Sequence, residues 1–121
     1  MIIRGTNLSM IRGDSESITL IQKDIDGAQV DFVEGVGGLP GDKVYFTVKE
    51  NVNSDKKALQ IVVDRFDETD GVAIIPIPPQ ATKHLEFGRY VYDIQISYKN
   101  GTVTTVVPPS EFNVLGEVTY E

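Results

Sequence analysis

The stretch that decides the fold runs from Gly88 to Val107 and reads GRYVYDIQISYKNGTVTTVV. Its first half alternates strictly. Tyr90, Tyr92, Ile94, Ile96 and Tyr98 share one face, and Arg89, Val91, Asp93, Gln95, Ser97 and Lys99 share the other. That is the period of a half-buried strand. Asn100-Gly101 follows, a dipeptide that tolerates two consecutive positive φ angles, and a type I′ hairpin is expected there. Thr102 to Val107 is the β-branched return strand. Counting back from a two-residue turn sets Tyr98 opposite Val103, Ile96 opposite Thr105 and Ile94 opposite Val107. The entry Gly88-Arg89-Tyr90-Val91-Tyr92 resembles the tyrosine corner of immunoglobulin-type domains. On that reading the Tyr90 hydroxyl bonds backbone upstream, and Tyr92 takes the core position that antibody domains give to cysteine.

Outward from this hairpin the chain continues as short alternating runs. Lys43 to Lys49 sets Val44, Phe46 and Val48 against Tyr45 and Thr47. Leu59 to Phe66 places Leu59, Ile61 and Val63 on one face. Val72 to Ile77 is β-branched but contains Pro76 and precedes Pro78-Pro79, which predicts an edge strand. Ser17 to Lys23 is a strand, Ala28 to Phe32 a weaker one, and Ile2-Ile3 and Leu8 to Ile11 are short ones. Pro79 to Phe87 holds the one expected helical turn. Pro108-Pro109 is read as a break, followed by a last strand from Phe112 to Leu115 and a flexible tail over residues 116–121. Gly35 to Asp42, with four glycines and a proline, is read as a flexible loop. About seven to nine short strands with turn signals at intervals of roughly 8–12 residues predict an all-β, Ig-like antiparallel sandwich. A chain of 121 residues makes it one domain spanning 1–121.

Composition narrows the function. The net charge is −7, from 18 acids against 11 bases, and the longest basic run is Lys56-Lys57. Neither a nucleic-acid backbone nor an anionic membrane is the expected partner. No apolar stretch approaches the roughly 20 residues of a membrane-spanning helix. The Met-Ile-Ile-Arg start lacks a signal-peptide layout, so synthesis in the cytoplasm is expected. There is no cysteine, hence no disulfide framework.

The candidate motifs are each outweighed by a structural reading. Arg12-Gly13-Asp14 matches the integrin-recognised tripeptide but sits where a turn is expected. Asp24-Ile25-Asp26-Gly27 begins like a calcium loop, yet Ala28 and Gln29 occupy the next ligand and glycine positions. Asp64, Asp67, Glu68 and Asp70 cluster at a second hairpin tip. In Gly35 to Gly41, Pro40 stands where a phosphate loop needs its third glycine, and a strand follows rather than a helix. His84 is the only histidine. It is too few for a zinc site, and no G-x-S-x-G nucleophile elbow accompanies it. The absence of tryptophan counts against a sugar groove. No catalytic residue, metal ligand or cofactor is expected. The residues singled out, Gly88, Tyr90, Tyr92, Asn100 and Gly101, are structural. Binding is assigned to exposed faces, with Tyr45, Val62, Val91 and Val106 expected outward.

A family resemblance adds to this reading. The Gly13-Asp14-Ser15 start, the Asp26-Gly27 turn, the run from Gly41 to Lys49, the Leu85-x-x-Gly88-x-Tyr90-x-Tyr92-Asp93-Ile94-Gln95 entry and Gly101-Thr102-Val103-Thr104-Thr105 occur in that order. The pattern resembles small Ig-like tail and baseplate proteins of phages and prophages of Gram-positive bacteria. It is similar in particular to the N-terminal domain of baseplate upper proteins. The likeness spans about Arg12 to Val114. It departs at Ala81-Thr82, where an Asp-Thr pair often precedes the Leu-x-x-Gly entry. The resemblance implies a non-enzymatic virion protein that contacts other tail or baseplate proteins and forms homo-oligomers. An Ig-like carbohydrate- or surface-binding module is the competing expectation.

Overall fold

The computed structural model describes residues 1–66 and 71–118. Within them the chain forms eight strands and one short helix: β1 (Ile2–Arg4), β2 (Asn7–Ile11), β3 (Glu16–Ile21), β4 (Lys43–Lys49), β5 (Leu59–Val63), β6 (Val72–Ile77), α1 (Pro79–Lys83), β7 (Gly88–Ser97) and β8 (Val103–Leu115). One sheet has the order β1-β2-β8-β7-β4-β5, and the second pairs β3 with β6. The protein is an all-β sandwich. The set β4-β7-β8 facing β3-β6 corresponds to the C-F-G and B-E strands of immunoglobulin-type domains. One pairing departs from the antiparallel expectation, because β2 runs parallel to β8.

The alternation seen in the sequence is the alternation of burial. Val44, Phe46 and Val48 of β4 and Tyr90, Tyr92, Ile94 and Ile96 of β7 point inward, meeting Ala73, Ile75 and Ile77 of β6. At the centre Phe46, Tyr92 and Phe112 form a triangle with ring centroids 5.4, 5.9 and 6.3 Å apart. The two pairs that Phe112 makes are edge-to-face, at 75° and 69°, and such pairs add about 0.5–1.5 kcal/mol each beyond the area buried.

Three expectations require correction. The β7–β8 turn is not type I′ on Asn100-Gly101. Gly101 N–H donates to the Tyr98 carbonyl and Tyr98 N–H to the Thr102 carbonyl, so Lys99-Asn100 lie at the turn's centre. Gly101 follows in the left-handed region at φ 90°. This is a three-residue loop with a glycine bulge. It moves the register by one, setting Ser97 opposite Val103 and Ile96 opposite Thr104. The Ile94–Val107 pair does form, because the ladder shifts again between Gln95–Thr105 and Ile94–Val107 and leaves Val106 as an extra residue.

Second, Pro108-Pro109 does not break the chain. β8 runs through it as one strand of 13 residues. The two prolines fall at another register shift, between Ile94–Val107 and Tyr92–Ser110, where missing N–H donors cost no ladder bonds. Third, Ala28 to Phe32 forms no strand. It contributes one isolated bridge, Lys23–Gln29. β5 also stops at Val63, short of Phe66.

α1 is a single turn of five residues with Pro79 in its first turn. It buries Thr82, whose hydroxyl accepts the Gly13 N–H at 2.8 Å and so pins the turn after β2.

Candidate functional site

The residues singled out in the sequence fall at three places: Gly88 at the start of β7, Tyr90 and Tyr92 in the sandwich interior, and Asn100 and Gly101 in the exposed turn beyond the other end of β7. Gly88 opens β7 at φ 141°, and no atom lies within 4 Å of where its Cβ would stand. Backbone angle, not space, requires glycine there. Two residues on, the Tyr90 hydroxyl donates to the Glu86 carbonyl at 2.8 Å, closing the corner. Tyr92 is buried beside Phe46 and Phe112, and its hydroxyl donates to the Thr6 carbonyl. Burial raises the pKa of both phenols above the usual tyrosine value. Asn100 caps its own loop, with Oδ1 accepting the Thr102 N–H at 2.9 Å.

The acidic side chains around the β3–β4 connection serve the backbone. Asp24 Oδ1 accepts the N–H groups of Asp26 and Ala28 at 2.9 and 3.0 Å. Asp31 accepts from Gly71, and Glu34 from Phe66. Asp42 is buried, and its two oxygens accept from Val33 and Lys99, each at 2.9 Å. Phe32 stacks on Phe66 with centroids 4.7 Å apart. The glycine-rich segment from Gly35 to Asp42, expected to be a flexible loop, is instead tied at both ends. Its glycines allow the chain to cross itself. A Cβ on Gly41 would stand 2.2 Å from the Gly35 nitrogen. Sequence reading missed Asp42; its one visible signal was a lone acid between a glycine and an inward-alternating strand.

Arg12 of the adhesion-like tripeptide is folded onto its own domain. Its guanidinium bonds the Leu85 carbonyl and the Glu117 carboxylate, and lies 4.2 Å from the centroid of the Phe87 ring. Glu117, placed in the flexible tail by sequence, is thus a fixed contact. Of the acidic hairpin cluster, Asp67, Glu68 and Asp70 lie outside the described residues.

His84 shares an open groove with Ser54, Asp55 and Glu86. The combination invites comparison with a catalytic triad. However, its Nε2–H points at the Ala58 carbonyl at 3.1 Å, and Ser54 N–H bonds the Asn51 carbonyl. The imidazole is oriented by backbone rather than by a carboxylate, the reverse of what a general base requires. Among the described residues no group of three or more His, Cys, Asp or Glu side chains is placed to hold a metal ion. None of their helices is long and apolar enough to cross a membrane.

The outer face of the larger sheet carries Tyr45 directly opposite Val62 on one side and Gln95 on the other. Val62 and the bulged Val106 are exposed, while Tyr45 and Val91 are half-buried. Comparison with protein-family models and with curated proteins finds no match to this chain.

Proposed function

We propose that the chain is a non-enzymatic structural module of a phage or prophage tail or baseplate, acting by protein–protein contact in virion assembly or host adsorption. One observation supports the contact-based part of this reading. Polar side chains with chemical potential, among them Asp24, Asp31, Glu34, Asp42 and His84, are engaged with backbone groups, whereas Val62, Val103 and Val106 remain exposed on strands. The tail assignment draws on the motif resemblance from Arg12 to Val114.

The test is mass spectrometry of purified virions combined with capture of a tagged chain from an induced lysogen. The expected result is the chain in the virion fraction, bound to a tail or baseplate protein. Absence from virions together with glycan-array binding by the isolated chain would overturn the reading in favour of a carbohydrate-binding module.

A further inference from the structure

We infer that β3 is a dimerisation edge, through which two copies of this chain join their smaller sheets in antiparallel register about a two-fold axis at Thr19. The inference rests on the geometry of β3 and does not depend on the tail role proposed above.

The phase of the β3–β6 ladder shows what the edge offers. Gln22 N–H donates to the Gly71 carbonyl, in line with the pairs Leu20–Ala73, Ile18–Ile75 and Glu16–Ile77. In an antiparallel ladder, hydrogen-bonded pairs alternate with unbonded ones. The backbone groups of Glu16, Ile18 and Leu20 therefore point to β6, and those of Ser17, Thr19 and Ile21 point away from it. Among the described residues no strand pairs with that side.

The other edges are guarded in recognisable ways. β1 has three residues. β6 carries Pro76, opposite Ser17, so its missing N–H faces outward along the open side. β5 has β6 as a close neighbour. β3 has six residues, Glu-Ser-Ile-Thr-Leu-Ile, with no lysine, proline or glycine. Its inward Ile18 and Leu20 are only half-buried, and Ile21 is 47% exposed. Among the described residues the strand has no strand partner on its side away from β6, and the Met1 ammonium meets only the Glu16 carboxylate at its end, at 2.6 Å.

A second copy fits this edge by its own sequence. With the inner faces of both sheets on one side, Thr19 lies opposite its own equivalent. Ile18 meets Leu20 of the second copy, Ser17 meets Ile21, and Glu16 meets Gln22. Apolar side chains meet on the inner face, and no like charges face each other within the strand. An isologous contact of this kind closes at two copies. The −7 charge of each chain opposes association, so added salt tightens the dimer.

Sedimentation of the purified chain is expected to give twice the chain mass in the high-micromolar range, with dissociation weakened by salt. Thr19→Lys sets two lysines against each other and is expected to yield a folded monomer. Thr19→Glu does the same, and an equimolar mixture of the two restores the dimer. The chain has no cysteine, so Thr19→Cys reports the register directly. Cα atoms in a hydrogen-bonded antiparallel pair lie about 5.5 Å apart, within disulfide reach. Oxidation is expected to cross-link Thr19→Cys, whereas Ser17→Cys alone is not expected to link. A wild-type monomer at every concentration, a dimer indifferent to Thr19→Lys, or failure of Thr19→Cys to cross-link overturns the inference.

Discussion

The carboxylate of Asp42 accepts the Lys99 N–H at 2.9 Å, joining the entry of β4 to the β7–β8 turn across 57 positions of sequence. Its other oxygen accepts the Val33 N–H, so one buried side chain fixes two loops against each other. Tyr98, next to Lys99, feels the same group. Burial raises its pKa first, and the charge of Asp42 raises it further.

Asp42→Ala leaves two partly buried N–H donors without their acceptor, and a buried donor without a partner costs about 1–3 kcal/mol. The expected loss on urea denaturation is about 3 kcal/mol with an unchanged slope, and Asp42→Asn loses less because it keeps one acceptor oxygen. A loss for Asp42→Ala below about 0.5 kcal/mol would show that the two loops are held by other contacts.

Tyr92 predicts a specific alkaline weakness. Its phenol is held above the usual tyrosine value by burial. A raised folded-state pKa means that the folded protein binds the proton more tightly than the unfolded chain does. The contribution is complete below about pH 10 and is lost as pH rises from there through the folded value. Thermal melts between neutral pH and strong alkali are expected to show a falling midpoint. In Tyr92→Phe that fall is shallower, although its neutral-pH stability is lower by about 1 kcal/mol for the lost bond to Thr6. An identical alkaline slope in both proteins would assign the titration elsewhere.

Gly101→Ala and Gly41→Ala separate two reasons for glycine. Gly101 has φ 90° and no atom within 4 Å of a would-be Cβ, so alanine there costs only the left-handed backbone, about 1–2 kcal/mol. At Gly41 the Cβ would stand 2.2 Å from the Gly35 nitrogen and 2.7 Å from the Val33 carbonyl oxygen. The backbone crossing must open, and the bond from Val33 to Asp42 goes with it. Hydrogen exchange is expected to show local loosening at the turn in the first variant, and loss of Val33 and Lys99 protection in the second.

Phe46 and Phe112 are fully buried, with centroids 5.9 Å apart at 75°. Each truncation to alanine is expected to cost about 3–5 kcal/mol. Truncation to leucine keeps the chain folded for a double-mutant cycle, with an expected coupling of about 0.5–1.5 kcal/mol. Strict additivity would mean that the two rings act only through area.

The strands were legible wherever burial is one-sided. Lys43 to Lys49 and Val72 to Ile77 match their sequence bounds, because alternation reports which side faces the core. Gly88 and Tyr90 were legible for a related reason: a corner needs glycine's backbone, and a phenol needs an acceptor. What failed was local grammar applied to a nonlocal choice. Asn100-Gly101 suits a type I′ turn in isolation, but the three-residue loop lets Tyr98 reach Gln22 Oε1 at 2.8 Å and Lys99 reach Asp42. Pro108-Pro109 reads as a break until partner strands hold both of its flanks.

The order of inward residues along β4, β6 and β7, and with it the all-β class, was determined by sequence, because side-chain alternation is a property of a few neighbouring residues. Which strands pair beyond the β7–β8 hairpin, the parallel β2–β8 contact, the bulges in β8, the tie through Asp42 and the open edge of β3 were decided by tertiary structure alone. Each depends on backbone groups brought together from distant positions. A hydrogen bond or an unpaired edge leaves no periodic trace in the residues that make it.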